Sequence, residues 1–308
     1  MRVAVVDLGT NSTRLLVADV EGGAVRELDR RTNVTRLGEG VDASGRLADA
    51  AMQRVLETVA AYRESIDAHG AQTVVAVATS AMRDAANGDE LRTALRDRYG
   101  VDPRTISGDE EARLTFLGAT APRAGRGPTL VVDIGGGSTE LVVGTPGSEP
   151  DFHHSSRAGS VRHTERHLHD DPPGPDQVTA LAEEVWSIVD ADVPLTVRAG
   201  VERGIAVAGT ATSLAAIDQD LEPYDPTRVD GYPLTLAAAE RILAMLAALP
   251  LDRRREVRGL HPDRAPTIVA GAAILVEVMR AFGLDAVQVS ESDILHGAAL
   301  TAGARAAK

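Results

Sequence analysis

Apolar positions along the chain alternate between short runs and longer stretches with a helical period. Val3-Ala4-Val5-Val6 begins the pattern, Leu15-Leu16-Val17 follows, and a third strand is predicted near 24–30. Over 50–68 the spacing changes: Met52, Val55, Leu56, Val59, Tyr62 and Ile66 recur every three or four residues until Gly70. That period predicts an amphipathic helix. Residues 74–78 read as a buried parallel strand. Thr79-Ser80-Ala81 then caps a helix, and further helices are predicted over 87–99 and 109–119. Residues 120–128 are rich in Pro and Gly and break the period, which places a lobe boundary and a hinge there. The plan repeats with a hairpin over 129–143, a strand near 150–155, a helix over 175–191 and a strand over 205–208. Helices are predicted over 212–218, 235–248, 264–280 and 293–304, with a strand over 286–289. Strands alternating with helices in both halves predict an α/β protein of two lobes, each with a mixed sheet. The lobes are expected over 1–122 and 123–308, with the terminal helix near 293–308 free to pack back on the first.

Composition narrows the function classes. Aromatics are 3% of the 308 residues, so the core must be aliphatic and base stacking is a poor expectation. Net charge is −13, from 32 basic and 45 acidic residues, which repels nucleic acid and acidic membranes. A polyanion site must then be a local exception. There is no cysteine, which excludes disulfides and thiolate chemistry. Neither a signal peptide nor a membrane span is expected, and the default location is the cytoplasm.

The chemistry lies in a glycine-rich phrase written twice. Val-Val-Asp7-Leu-Gly9-Thr10-Asn11-Ser12-Thr13-Arg14 is answered by Val-Val-Asp133-Ile-Gly135-Gly136-Gly137-Ser138-Thr139-Glu140. Each leaves an apolar run through an Asp, turns on small residues and resumes apolar. This is a hairpin whose tip offers backbone N–H groups to an anion, with a carboxylate beside it for a cation. Two such tips would clamp a phosphate chain from both sides. A third small-residue phrase, Ala208-Gly209-Thr210-Ala211-Thr212-Ser213, also follows an apolar run, and no Walker loop occurs. Asp109-Glu110-Glu111 open a predicted helix, where any of the three could serve as a general base for water; the residues alone do not choose.

Together with Ala-Thr-Ser-Ala-Met-Arg83 and Ile-Ser-Gly-Asp-Glu-Glu-Ala-Arg, these phrases resemble the exopolyphosphatase/guanosine pentaphosphate phosphohydrolase family. The tail phrases Arg264-Ala-Pro-Thr-Ile-Val-Ala-Gly271 and Val-Ser290-Glu291-Ser-Asp-Ile-Leu-His-Gly297 carry the same resemblance. It implies actin-like, ribonuclease H-like lobes with an interdomain cleft. It implies Glu111 as the catalytic base, with Asp133 and Glu140 as further catalytic carboxylates. Thr10 to Thr13, Arg14, Arg83, Gly136 to Thr139 and Arg264 would bind phosphate, and Asp7, Asp133 and Glu140 would hold magnesium or manganese. Larger family members carry added helical domains that this sequence lacks, which favours short polyphosphates. The expected activity is hydrolysis of the terminal phosphoanhydride of inorganic polyphosphate. Guanosine pentaphosphate is the nearest rival substrate, ahead of an actin-like kinase or a nonenzymatic nucleotide sensor. A homodimer is expected, with neither nucleic acid nor membrane as partner.

Three other features have plain readings. His153, His154, His163, His167 and His169 cluster, and His163/His167 have the i, i+4 spacing of a helical metal pair; partly exposed histidines are the simpler expectation. Arg253-Arg254-Arg255 with Arg258 reads as a solvated helix start or a rim for a polyanion. Trp186 reads as core or dimer contact.

Overall fold

A computed structural model describes residues 1–123, 125 and 127–306. The chain divides into two compact units, Met1–Pro122 with Asp293–Lys308, and Arg123–Ser292. The second lobe, expected to run to the end of the chain, therefore closes at Ser292. The predicted hinge over 120–128 falls partly outside the described residues, at Ala124 and Arg126.

In the first unit the strands β1 (Arg2–Leu8), β2 (Ser12–Glu21) and β3 (Ala24–Val34) form a meander. The short α1 (Val41–Ser44), α2 (Asp49–Ala68), β4 (Thr73–Ala78), α3 (Ser80–Asp84), α4 (Gly88–Tyr99), β5 (Arg104–Thr105) and α5 (Gly108–Thr120) follow. The sheet order is β3-β2-β1-β4-β5. Because strand side chains alternate, β1 sends Ala4, Val6 and Leu8 to one face, where they pack with Val55, Val59, Tyr62 and Ile66 of α2. It sends Val3 and Val5 to the other, against Leu295, Ala298 and Ala299.

Those last residues lie on a helix at the end of the chain, and glycines explain why it joins this unit. A Cβ on Gly118 would come 1.9 Å from Asp293 O, and one on Gly297 would come 1.8 Å from Leu114 O. Only residues without side chains allow the two backbones to approach so closely.

The second unit repeats the order: β6 (Thr129–Ile134), β7 (Thr139–Gly144), β8 (Phe152–Ser156), α6 (Ser160–His167), α7 (Pro175–Asp192), α8 (Leu195–Arg198), β9 (Arg203–Val207) and α9 (Ala208–Asp218). After α10 (Pro226–Val229) come β10 (Pro233–Thr235), α11 (Leu236–Ala247), α12 (Leu251–Arg254), a 3-10 turn at Pro262–Arg264, α13 (Ile268–Ala281) and β11 (Ala286–Val289). The terminal helix, α14 (Ile294–Ala306), returns to the first unit. The second sheet runs β8-β7-β6-β9-β11-β10. Its first five strands match β3-β2-β1-β4-β5 in order, and β10 is an added edge. One aliphatic cluster unites Leu130, Val132 and Leu141 of this sheet with α7, α9, α11 and α13.

Three differences from the sequence reading have physical causes. The helix expected over 212–218 begins at Ala208, directly at the strand end, so the third small-residue phrase is a helix start rather than a loop. The helix expected over 264–280 begins at Ile268, because Arg264 closes a separate 3-10 turn, Pro262–Arg264, and Pro266 has no N–H to carry a helical ladder through the junction. Helix α6 has no apolar period, since only its first four residues are buried. Among the described residues, no helix is long and apolar enough to cross a membrane.

Candidate active site

The two glycine-rich phrases fold as equivalent hairpins. In β1–β2, Asp7 pairs with Arg14 and Leu8 with Thr13; in β6–β7, Asp133 pairs with Glu140 and Ile134 with Thr139. Gly9 N–H donates to Ser12 O at 3.0 Å, and Gly135 N–H to Ser138 O at 2.9 Å. The tip carbonyls accept bonds from the segment after the third strand. Thr35 and Arg36 N–H donate to Asn11 O and Gly38 N–H to Thr10 O; in the second unit, Ser160 N–H donates to Gly135 O, and Val161 and Arg162 N–H to Gly136 O. These bonds fall on the carbonyls of the tips, while Thr13 and Thr139 lie within the strand ladders, opposite Asn33 and Ser156.

In the first unit β4 lies parallel to β1, with Ala78 beside Leu8, and α3 begins two residues later. Arg83, in the last turn of α3, donates from Nη1 to Ile106 O at 2.9 Å and to Glu111 Oε2 at 3.2 Å. The three carboxylates that sequence could not separate are separated by packing. Asp109 is exposed. Glu110 forms an outward ion pair with Arg104, 2.6 Å from Nη1 to Oε2. Glu111 is 7% exposed. Ser107 sets this phase by capping α5, its Oγ accepting from Glu110 N–H at 3.2 Å.

Arg14 joins two buried carboxylates. It donates to Asp7 Oδ2 from Nε at 2.9 Å and from Nη2 at 2.6 Å, and its Nη1 pairs with Asp293. Asp293 begins the turn into α14, where His296 Nδ1 accepts from its backbone N–H and His296 Nε2 meets Glu27 Oε1 at 2.8 Å. Burial would raise the Asp293 carboxyl, but Arg14, His296 and Arg30 together hold it far below the usual carboxylate range. Burial would lower His296; its bonds to Asp293 and Glu27 raise it instead. One guanidinium cannot compensate both carboxylates equally: burial raises Asp7 above its ordinary value despite Arg14. Asp7 Oδ1 is buried and, among the described residues, has no hydrogen-bond partner. Sequence reasoning missed Asp293 and His296 as partners of this site, although both lie in the tail phrase ending at Gly297.

In the second unit Glu140 takes the place of Arg14. Glu140 Oε1 accepts from Ser138 Oγ and from Ser155 Oγ, each at 2.8 Å. Asp133 is 6% exposed and Glu140 1%, so two buried carboxylates sit side by side across the strands. That donor set, hard and acidic, fits a divalent cation such as magnesium. Strand β9 places Val207 beside Asp133, and α9 starts at the next residue. Arg264 lies across that start: a Cβ on Gly209 would fall 1.5 Å from its Nη1. Arg264 therefore sits at the same edge as the nest of Gly136, Gly137, Ser138 and Thr139.

The remaining features resolve differently. Arg254 is 5% exposed and donates to the carbonyls of Leu246, Leu249 and Ala265, while Arg253, Arg255 and Arg258 pair with Glu256, Asp252 and Asp220. Arg254 thus anchors its helix from inside, while Arg253, Arg255 and Arg258 are exposed, as a solvated helix start predicts. His153, His154 and His167 are half-buried and His169 is exposed, but His163 is fully buried, against expectation. Trp186 is 42% exposed, which removes its core reading.

The Ppx/GppA phosphatase family matches residues 16–302 of this sequence. The chain belongs to the Ppx/GppA phosphatase family. A Mycobacterium tuberculosis relative named exopolyphosphatase 2 is 38% identical, over 97% of this chain and 98% of its own. The crystal structure of the Aquifex aeolicus Ppx/GppA family member matches with a TM-score of 0.84 and 29% identity, covering 100% of this chain and 99% of that one. That of an exopolyphosphatase from Cytophaga hutchinsonii matches with a TM-score of 0.89 and 27% identity, covering 98% and 97%. Each sheet flanked by helices is thus a lobe of the actin-like fold shared by Ppx/GppA proteins.

Proposed function

We propose that this protein is an exopolyphosphatase, hydrolysing the terminal phosphoanhydride of inorganic polyphosphate with release of orthophosphate. The observation that carries the reading is Glu111: of three adjacent carboxylates it alone is buried, and Arg83 donates to it. The nearly full-length kinship with a relative named exopolyphosphatase 2 supports the substrate.

Phosphoanhydride hydrolysis needs an oriented water, a base and donors for the charge on the phosphoryl oxygens. Glu111 orients the water and takes its proton. Arg83 fixes the Glu111 carboxylate and offers its remaining N–H groups to phosphate. The N–H groups of Thr10 to Thr13 and of Gly136 to Thr139 bind phosphate oxygens. Arg264 adds a cation at the second nest, and Arg14 chiefly orients Asp7. Asp133 and Glu140 are the residues to hold magnesium or manganese, which when bound would neutralise phosphate oxygens and the leaving group. Asp7, already committed to Arg14 through one oxygen, is suited to accept a hydrogen bond at Oδ1 rather than to ligate the ion directly.

The test is phosphate release with magnesium from polyphosphates of several lengths, guanosine pentaphosphate and ATP. Polyphosphate, short chains foremost, is expected to have the highest kcat/KM. Glu111→Gln is expected to lower kcat on the order of 10²–10⁴-fold with KM little changed. Faster turnover of guanosine pentaphosphate would reassign the substrate, and near-normal turnover by the Glu111 variant would remove it as the base.

A further inference from the structure

Helix α6 has a second cluster of ligand-type side chains outside the groups assigned to phosphate chemistry. His163 and His167 are one helical turn apart, and Glu184 reaches them from α7. One ligand atom from each of the three lies within 4.8 Å of the others. The two imidazole rings are tilted by 32° with centroids 5.7 Å apart. Glu184 is held from its other side: Arg166 pairs with Oε1, leaving Oε2 toward His167.

The observation that points to a ligand is His163 itself. It is fully buried, yet among the described residues its Nε2 has no hydrogen-bond partner. Its Nδ1 accepts from Gly159 N–H at 3.3 Å. A buried ring nitrogen without a partner forfeits the hydrogen bond it would make in water, which a ligand can restore.

We propose that His163 Nε2, His167 and Glu184 bind a divalent transition-metal ion of the zinc type. Two imidazole nitrogens and one carboxylate oxygen suit zinc, cobalt or nickel better than magnesium, which prefers oxygen donors. In tetrahedral coordination the donors close to roughly 3.3–3.5 Å from one another, and solvent takes the fourth position. The bookkeeping is simple. The metal forms a bond to Nε2 of His163, whose ring proton moves to Nδ1, and the Gly159 N–H bond to Nδ1 is given up. His167 likewise carries its single ring proton on Nδ1, so that Nε2 and the Glu184 oxygen that faced it both turn to the metal. The ion then ties α6 to α7. This matters to the second hairpin because α6 grips it: a Cβ on Gly159 would lie 2.3 Å from Gly136 O, and Arg162 Nε donates to Gly137 O at 2.9 Å.

The test uses the full-length protein, stripped with chelator and titrated with Co(II), a visible reporter of zinc sites. One equivalent is expected to give the visible bands of a four-coordinate nitrogen–oxygen site. His167→Ala and Glu184→Gln are expected to weaken it at least about tenfold, whereas Asp133→Asn with Glu140→Gln keeps it. The Gly159 amide resonance should shift on loading. His163→Gln serves only if it folds; the two partly exposed positions decide otherwise. Absent bands, or bands that survive both substitutions, would overturn the proposal.

Discussion

The two hairpins share a strand register, a turn and a glycine, and differ at one pivotal position. Where the first has Arg14 opposite Asp7, the second has Glu140 opposite Asp133. The first is an internally compensated ion pair, continued through Asp293, His296 and Glu27. The second brings two buried carboxylates together, held by serine hydroxyls. Adjacent buried carboxylates repel each other unless one is protonated or a cation joins them. The same backbone geometry thus carries two charge patterns: the first hairpin sets an arginine opposite its Asp, and the second sets a glutamate there, the pair proposed above to hold magnesium or manganese.

The largest expected effect separates these roles. Glu140→Gln is expected to raise the magnesium concentration for half-maximal activity at least about tenfold and to cut kcat/KM by roughly 10²-fold. Asp7→Asn should leave the magnesium requirement nearly unchanged. Equal shifts in both variants, read from metal titrations of phosphate release, would erase the distinction.

Next in size is stability. Arg14→Gln leaves Asp7 and Asp293 buried without their shared guanidinium, and removing one partner of a buried pair costs about 3–5 kcal/mol. Urea unfolding should show that loss. The same measurement on Glu140→Gln, which relieves a like-charge contact, should show little loss. The comparison fails if the two variants unfold alike.

The smallest effect is the pH dependence of the first unit. Asp293 is depressed in the fold, so its contribution is present above its unfolded value, near pH 4, and is lost as pH falls through the folded value. His296 is raised, so its contribution is complete below its unfolded value, about 6.5, and is lost as pH rises through the folded one. The pair therefore stabilises most between about pH 4 and 6.5. Urea midpoints should decline on the alkaline side in the wild type and lose that decline in His296→Gln. An unchanged pH profile in the variant would show that His296 contributes nothing there.

The sequence carried much of this. The period of Met52 to Ile66 fixed α2, the apolar runs at 3–6 and 129–132 located β1 and β6, and the doubled phrase located both hairpins. Helix α6 was illegible because Val161 is its one apolar residue, and the burial of Arg254 was hidden in what looked like a solvated charge run. Both misreadings have one cause. A polar side chain shows its type in sequence but not the carbonyls or rings that will receive it.

What the sequence by itself determined is local: element type, the two Asp-Gly turns, an aliphatic core and the family phrases, each set by neighbours a few residues away. What only the tertiary structure decided is pairing across long separations. It buried Glu111 against Arg83 and left Asp109 exposed and Glu110 with Arg104, joined Asp293 to Arg14, brought Glu184 to His163, and returned α14 to the first unit through Gly118 and Gly297. Those choices depend on backbone approach and burial, which side-chain period cannot encode.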